Sequence, residues 1–295
     1  MLRWAREEGA PWGDTCSAAA MAGHLDVLQW AREEGAPWGG RTCSNAAGGG
    51  HLDVLRWARG QTEPAPWDEF TCDAAIMGGH FDTLTWARIA GCGWSEYSFE
   101  LACVGGYFDI ANWLHTHYCP AAEDTCALIA IHGTLAGLEH ARLLGYPWGK
   151  NFYQGVAQHG SLEMLQWAHG QPQPPLISIG ACIGAARAGK LDMLKWMRGL
   201  DPPFPWGPEV CLATVHCAQI QGFRCLEWLR EQRPPCTWDS ALSLQMLRTE
   251  LAQPGSTLQN ISRYPDEVEM FLANVIALAM KESERHGLTP NSLGV

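Results

Sequence analysis

Gly184-Ala185-Ala186-Arg187-Ala188-Gly189-Lys190 has almost the spacing of a loop that cradles phosphates with backbone N–H groups, and Leu176-Ile177-Ser178-Ile179 ahead of it looks strand-like. Leu191, however, stands where magnesium coordination in such a loop needs a hydroxyl, and Gly189-Lys190 falls on a register that recurs along the chain as a turn. Nucleotide binding is therefore not expected. A column of cysteines (Cys16, Cys43, Cys72, Cys126, Cys182) and one of histidines (His24, His51, His80) raise the question of a metal, whose ligands must converge within one small sphere. The two columns supply one Cys and one His per unit, eight residues apart. Phe99 and Tyr153 take the Cys position elsewhere, and Tyr107, Thr134 and Lys190 take the His position. Aromatic replacement marks a core slot, so no repeated metal site is expected. His115, His117 and Cys119 are denser, but residues two apart on a helix point away from each other. Asp26, Asp53, Asp82 and Asp109 recur where a helix start favours an acid, not as catalysts. There is no Gly-x-Ser-x-Gly elbow, His-Glu-x-x-His or Cys-x-x-Cys. The expectation is a non-catalytic chain without cofactor or metal.

What organises these residues is a repeat. Gly23-His24-Leu25-Asp26-Val27-Leu28-Gln29-Trp30-Ala31-Arg32 returns from Gly50 to Arg59 and from Gly79 to Arg88, with weaker copies from Gly106, Gly133, Gly160, Gly189 and Gly222. The spacing is 27 residues, stretched to 29 twice and to 33 once. All fifteen tryptophans fall on two positions of the unit. Trp4, Trp30, Trp57, Trp86, Trp113, Trp167, Trp196 and Trp228 form one column, and Trp12, Trp38, Trp67, Trp94, Trp148, Trp206 and Trp238 the other. Fifteen rare residues do not reach two registers by chance.

Each unit reads as two helices. The first is short and rich in small residues, as in Thr15-Cys16-Ser17-Ala18-Ala19-Ala20-Met21, with Thr15 expected to accept a backbone N–H as its cap and Gly23 to end it. The second runs from Leu25 to about Glu34, with Leu25, Leu28, Trp30 and Ala31 on its apolar side. Gly35 stops it and Pro37 forbids continuation. One such pair buries too little surface to stand alone, so neighbours must stack. Trp30, Trp57 and Trp86 are expected to be buried between helices, and the cysteines to be free thiols.

The stretch Gly23 to Ala36 is similar to the second helix of an ankyrin repeat, whose pattern is Gly-His-x-x-Val-Val-x-x-Leu-Leu-x-x-Gly-Ala, and Ala19-Ala20 matches the family's Ala-Ala. The resemblance spans about residues 1–245. A standard ankyrin unit has ~33 residues; the deficit here lies after Gly35-Ala36, where ankyrins build a β-hairpin finger. The Thr-Pro-Leu-His motif is also missing. The chain thus looks like the short, Trp-rich ankyrin-like repeats of large-virus and protist proteomes. The resemblance implies an all-α fold, an α-solenoid of stacked helix-turn-helix units lacking the fingers. It also implies a protein-protein interaction scaffold that binds its partner on a concave face lined by the first helices. A degenerate or fragmentary array without a dedicated partner is the alternative.

On this reading residues 1–238 are the array, about eight units with the first truncated, since Met1 corresponds to Val27. Residues 239–286 are expected to form C-terminal capping helices, the strongest from Pro265 to His286, and 287–295 a disordered tail. Gln61–Pro64, Gln171–Pro175 and Asp201–Pro205 read as inserted loops, and the first helix between Pro208 and Gly222 as extended by a turn. The net charge of −11 disfavours nucleic acid and anionic membranes and tilts the partner toward a basic protein or extended peptide. No apolar run approaches the ~20 residues of a bilayer span, and Met1 to Glu8 has no apolar signal-peptide core. A cytoplasmic monomer is expected. Within the first helices one slot varies while its surroundings repeat: Met21, Gly48, Met77, Val104, Ile131, Gln158 and Arg187, with Asn45 three residues earlier on the same face. Met21, Asn45, Met77, Val104, Gln158 and Arg187 are the candidate partner-binding residues.

Overall fold

The computed structural model describes residues 8–215, 217, 220–232, 236, 275–277 and 280. Among these residues all regular structure is α-helical and there is no strand. The chain divides into two compact units, residues 1–147 and 148–295. Among the described residues the first unit holds five helix pairs: α1 (Thr15–Met21) with α2 (Leu25–Glu33), α3 (Gly40–Gly48) with α4 (Leu52–Arg59), α5 (Glu69–Met77) with α6 (Phe81–Ile89), α7 (Ser98–Val104) with α8 (Phe108–Thr116), and α9 (Thr125–His132) with α10 (Leu135–Leu143). The second holds α11 (Phe152–Gln158) with α12 (Leu162–His169), α13 (Ile179–Arg187) with α14 (Leu191–Arg198), and α15 (Pro208–Val215) with α16 (Ile220–Glu231).

In the first unit α1, α3, α5, α7 and α9 pack side by side in chain order, each also against its own second helix. In the second unit α11, α13 and α15 do the same, and α16 packs on both α13 and α14. Small residues permit this: Ala19, Ala20, Ala46, Ala47, Ala75 and Ala102 are buried where first helices meet, so the backbones can approach to the ~8–10 Å of close helix packing. Leu28, Leu55, Leu84, Leu114 and Leu138 enter from the second helices and are completely buried, each contributing about 1.5–3 kcal/mol.

The turn between paired helices follows from its glycine. Gly23, Gly50, Gly79 and Gly106 have φ of 70°, 72°, 71° and 74°, a region that costs other residues a clash with their own Cβ. That conformation lets the His24 N–H reach back to the Ala19 carbonyl at 2.9 Å, closing the first helix, and the same bond recurs from His51 to Ala46 and from His80 to Ala75.

The tryptophans among the described residues are half-buried rather than buried. The small residues between helices leave no room for an indole, and the rings lie instead at the edge of the packing, paired across the columns. Trp12 meets Trp30 edge-on at 5.4 Å, and Trp38–Trp57, Trp67–Trp86 and Trp94–Trp113 repeat this at 5.7, 6.0 and 5.8 Å. Trp148–Trp167 and Trp206–Trp228 do so in the second unit, at 5.9 and 6.2 Å. Arginine two places after the helical tryptophan completes the arrangement. The guanidinium groups of Arg32, Arg59, Arg88 and Arg198 lie 4.2, 4.1, 3.7 and 3.9 Å from the ring centres of Trp38, Trp67, Trp94 and Trp206. Each also donates to the carbonyl of the residue that leaves the helix, Ala36, Ala65, Cys92 and Phe204 respectively. The arginine thus fixes the exit of the second helix and clamps the ring that follows. An edge-on aromatic pair is worth about 0.5–1.5 kcal/mol beyond area burial.

Two local expectations are corrected. Thr15 does not accept a capping N–H; it is the first helical residue and its hydroxyl donates to the Trp12 carbonyl. The backbone carbonyl three residues upstream of the helix start is a better-placed partner for this hydroxyl than the helix's own amides when the approach is a tight turn. The extra turn before Gly222 belongs to the second helix, α16, and not to α15, which ends at Val215. Gln61–Pro64, Gln171–Pro175 and Asp201–Pro205 are non-helical, as their prolines require. The expected capping helices at 239–286 lie outside the described residues apart from helical residues 275–277, where Val275 is buried, and 280, and the expected tail at 287–295 lies outside them altogether.

Candidate interaction surface

The residues whose types suggested chemistry are held by the packing. Gly184 to Arg187 are the last turns of α13, Gly189 is the left-handed turn residue, and Leu176 to Ser178 is irregular rather than a strand. The Lys190 ammonium donates to the Gly160 carbonyl of the preceding turn at 2.6 Å, and partial burial lowers its pKa from the usual lysine range. The histidines have the same task. A Cβ added to Gly23 would fall 2.5 Å from the His51 ring, and one added to Gly50 2.5 Å from the His80 ring; Tyr107 covers Gly79 likewise. The His51 Nε2 donates to the Met21 carbonyl at 3.1 Å. The rings of His51, His80 and Tyr107 therefore each seal the glycine turn of the unit before, while the Gly106 turn is left open. His115 pairs with the Tyr146 hydroxyl, His117 with the Trp113 carbonyl, and the Cys119 thiol donates toward the Ser95 carbonyl, so the three diverge. Among the described residues no group of three or more His, Cys, Asp or Glu side chains is placed to share an ion.

All twelve cysteines are free thiols, and all but the half-buried Cys217 are buried. Burial pushes the thiols of Cys43, Cys103, Cys119, Cys126, Cys182 and Cys225 up to about 12, and a hydrogen bond with Cys92 together with burial raises Cys72. A thiol must ionise and be reached in order to react. Native protein at pH 7.5 is thus expected to react with an aromatic disulfide reagent at about one thiol on the minute scale, and at all twelve once unfolded. Rapid reaction of many thiols in the native state would contradict this placement.

The variable slot lies at the C-terminal ends of first helices. Met21, Met77 and Val104 are the last residues of α1, α5 and α7, and in the second unit Gln158 and Arg187 end α11 and α13. Met21 is 64 % and Met77 59 % exposed, unusual for long apolar side chains; Arg187 is exposed, while Val104 and Gln158 are half-buried. Asn45 is half-buried one turn inside α3, and its amide donates to the Ser17 carbonyl at 3.0 Å, tying α3 to α1. The structure thus sets Met21 and Met77 free for contact and occupies Asn45 with packing.

Two acids that sequence reasoning passed over share the next register of the first helices. Asp73 in α5 is buried, and the Ser98 hydroxyl at the start of α7 donates to its Oδ1 at 2.5 Å. Burial raises the Asp73 pKa, with hydrogen bonds from Ser98 and Ser95 opposing the rise. Glu100 in α7 occupies the equivalent position and is 8 % exposed. Thr125 holds the register of Ser98 in the next pair, but its hydroxyl donates to the Ala122 carbonyl at 2.7 Å; burial, followed by the like charge of Asp124, pushes the Glu100 pKa up to about 7. Tyr97 is 47 % exposed, and a hydrogen bond with Glu96 raises its phenol pKa.

Each unit also carries an open groove. In the first unit one of about 600 Å³ is lined by Arg32, Glu33, Trp38, Trp57, Gln61 and Glu63. In the second unit one of about 400 Å³ lies beside Lys190, between Leu162, Asp192, Met193 and Arg224. No helix among the described residues is long and apolar enough to cross a membrane. No protein-family model matches the chain, and no curated protein matches it.

Proposed function

We propose that this chain is a non-catalytic protein-interaction scaffold, an ankyrin-like α-solenoid without fingers that receives an extended peptide or protein segment along its first helices. The observation that carries this reading is the contrast within those helices. Their buried residues repeat, whereas the slot that ends them changes type from pair to pair and leaves Met21 and Met77 largely exposed. A row that varies on a repeating frame can encode one partner, and methionine adapts to apolar side chains of many shapes. The first helices pack against one another through their small buried residues, and the exposed Met21 and Met77 side chains at their ends lie outside that packing.

The test is peptide-library panning followed by substitution. Met21→Ala with Met77→Ala is expected to weaken a selected ligand at least tenfold, with melting unchanged because both side chains are exposed. If affinity survives that pair but falls on Trp57→Ala, the ligand lies in the groove between Trp38 and Trp57 instead. A library that yields no saturable ligand would defeat the reading.

A further inference from the structure

We propose that the open groove beside Trp57 in the first unit is a receptor for one arginine side chain presented by a partner protein.

Four pieces of chain build the groove. The end of α2 supplies Gln29, Arg32 and Glu33, the loop ahead of α3 supplies Trp38, and α4 supplies Trp57. The inserted loop after α4 adds Glu63. That loop is tied to its helix, because the Gln61 side-chain amide donates to the Trp57 carbonyl at 2.9 Å. The enclosed space of about 600 Å³ has room for a long side chain.

The next pair shows what this register can do. Arg56 directly precedes the tryptophan of its own second helix, and its guanidinium lies 5.8 Å from the ring centre of Trp86, the tryptophan of the second helix that follows. A cation at that distance is attracted by the electron-rich face of an indole. One pair earlier the same register is Gln29, directly before Trp30, and the following ring is Trp57. An amide brings no charge. Among the described residues no cation stands over Trp57, and Gln29 and Trp57 instead border the groove together. The contact that Arg56 makes to Trp86 is therefore open, at Trp57, to a guanidinium from outside the chain.

Charge favours the same occupant. Glu33 and Glu63 line the groove, both are exposed, and among the described residues neither is held in an ion pair. Arg32 is the one cation in the lining, and it is committed. Its guanidinium lies 4.2 Å from the ring centre of Trp38 and donates to the Ala36 carbonyl. Two carboxylates thus face a single guanidinium that is already engaged. Trp38 and Trp57 meet edge-on at 5.7 Å, which fixes the two indoles at 68° to each other. A planar guanidinium can lie along an aromatic face while its N–H groups donate to carboxylates beside it. An ammonium is compact and more strongly hydrated, and it satisfies both demands less well.

The experiment follows the indole N–H signals of the full chain by NMR, with Trp57→Phe identifying the Trp57 signal by its loss. The probes are N-acetyl-arginine amide, its lysine counterpart, and its citrulline counterpart, which keeps the shape and removes the charge. Salt is held at about 150 mM, where long-range attraction to the net negative surface is screened. The arginine probe is expected to move the Trp57 signal saturably, about threefold more tightly than the lysine probe, and the citrulline probe to leave it in place. Glu63→Gln is expected to weaken the arginine probe about threefold, whereas Glu34→Gln, an exposed acid outside the lining, changes it less than about twofold. Gln29→Arg places the chain's own guanidinium in the register of Arg56. It is expected to shift the Trp57 signal without any probe and to weaken the arginine response about tenfold or more, with melting unchanged. An arginine response that survives Gln29→Arg would overturn the proposal, and so would equal responses to arginine and citrulline. Lysine binding as tightly as arginine would overturn the choice of guanidinium, and equal weakening by Glu34→Gln and Glu63→Gln would reduce the effect to net charge. Met21 and Met77 lie outside the lining, so their substitution is expected to leave this titration unchanged, and failure here leaves the scaffold reading standing.

Discussion

Gly50→Ala is expected to destabilise the first unit by about 2–5 kcal/mol, far more than a surface methyl ordinarily costs. Two causes add. The residue sits at φ +72°, where a Cβ crowds its own backbone by roughly 1–2 kcal/mol. The same Cβ would lie 2.5 Å from Nδ1 of His80, so the sealing ring must move, an overpacking cost of about 1–3 kcal/mol. The two contributions can be separated. Gly35→Ala meets the first alone, since Gly35 has φ +84° and no atom within 4 Å of the added carbon. His80→Ala in the Gly50→Ala background removes the second. Urea unfolding followed by circular dichroism should rank Gly50→Ala as the most damaging, with Gly35→Ala and the double variant milder. Equal costs for Gly50→Ala and Gly35→Ala would mean that the ring gives way freely and does not seal the turn.

That pairing of glycine with ring shows where sequence reading ran short. The Gly-His register is plain in the repeat, and the glycine as a helix stop follows from its backbone freedom alone. What the histidine does is not local. It belongs to the turn of the preceding pair, some thirty residues back, as the bond from His51 to Met21 shows. Tyr107 and Lys190 can replace histidine because each can lie over or bond to that turn, which also explains why the column tolerated such different side chains. The tryptophan registers were equally legible, but their burial was not. A period places a residue on a face, whereas its depth depends on the size of its neighbours, and here alanine and glycine draw the helices too close for an indole. Glu100 was overlooked because one acid on a short helix has no pattern, and its burial at the register of Asp73 is set by the packing of neighbouring pairs.

Phe99→Ala is expected to cost about 3–5 kcal/mol, the range for deleting a buried aromatic ring. Phe99 is completely buried and stacks on Tyr146 with ring centres 3.9 Å apart. Its slot holds cysteine in most other first helices, yet Phe99→Cys should lose nearly as much. The reason is a size match between consecutive pairs. The first-helix residue meets the residue that leaves the second helix of the next pair, and the two are alike in size. Cys43 lies near Cys92 and Cys182 near Cys236, whereas Phe99 stacks on Tyr146 and Tyr153 packs edge-on against Phe204 at 5.1 Å. A small residue opposite Tyr146 leaves a cavity that a short side chain cannot fill. The losses from Phe99→Cys and Tyr146→Cys should therefore be less than additive, by about 0.5–3 kcal/mol. The double variant reproduces the pairing of Cys43 with Cys92, and its helices can close by the same small-residue approach. Strict additivity in urea unfolding would show that the two rings are packed independently and that their matching along the chain carries no energy.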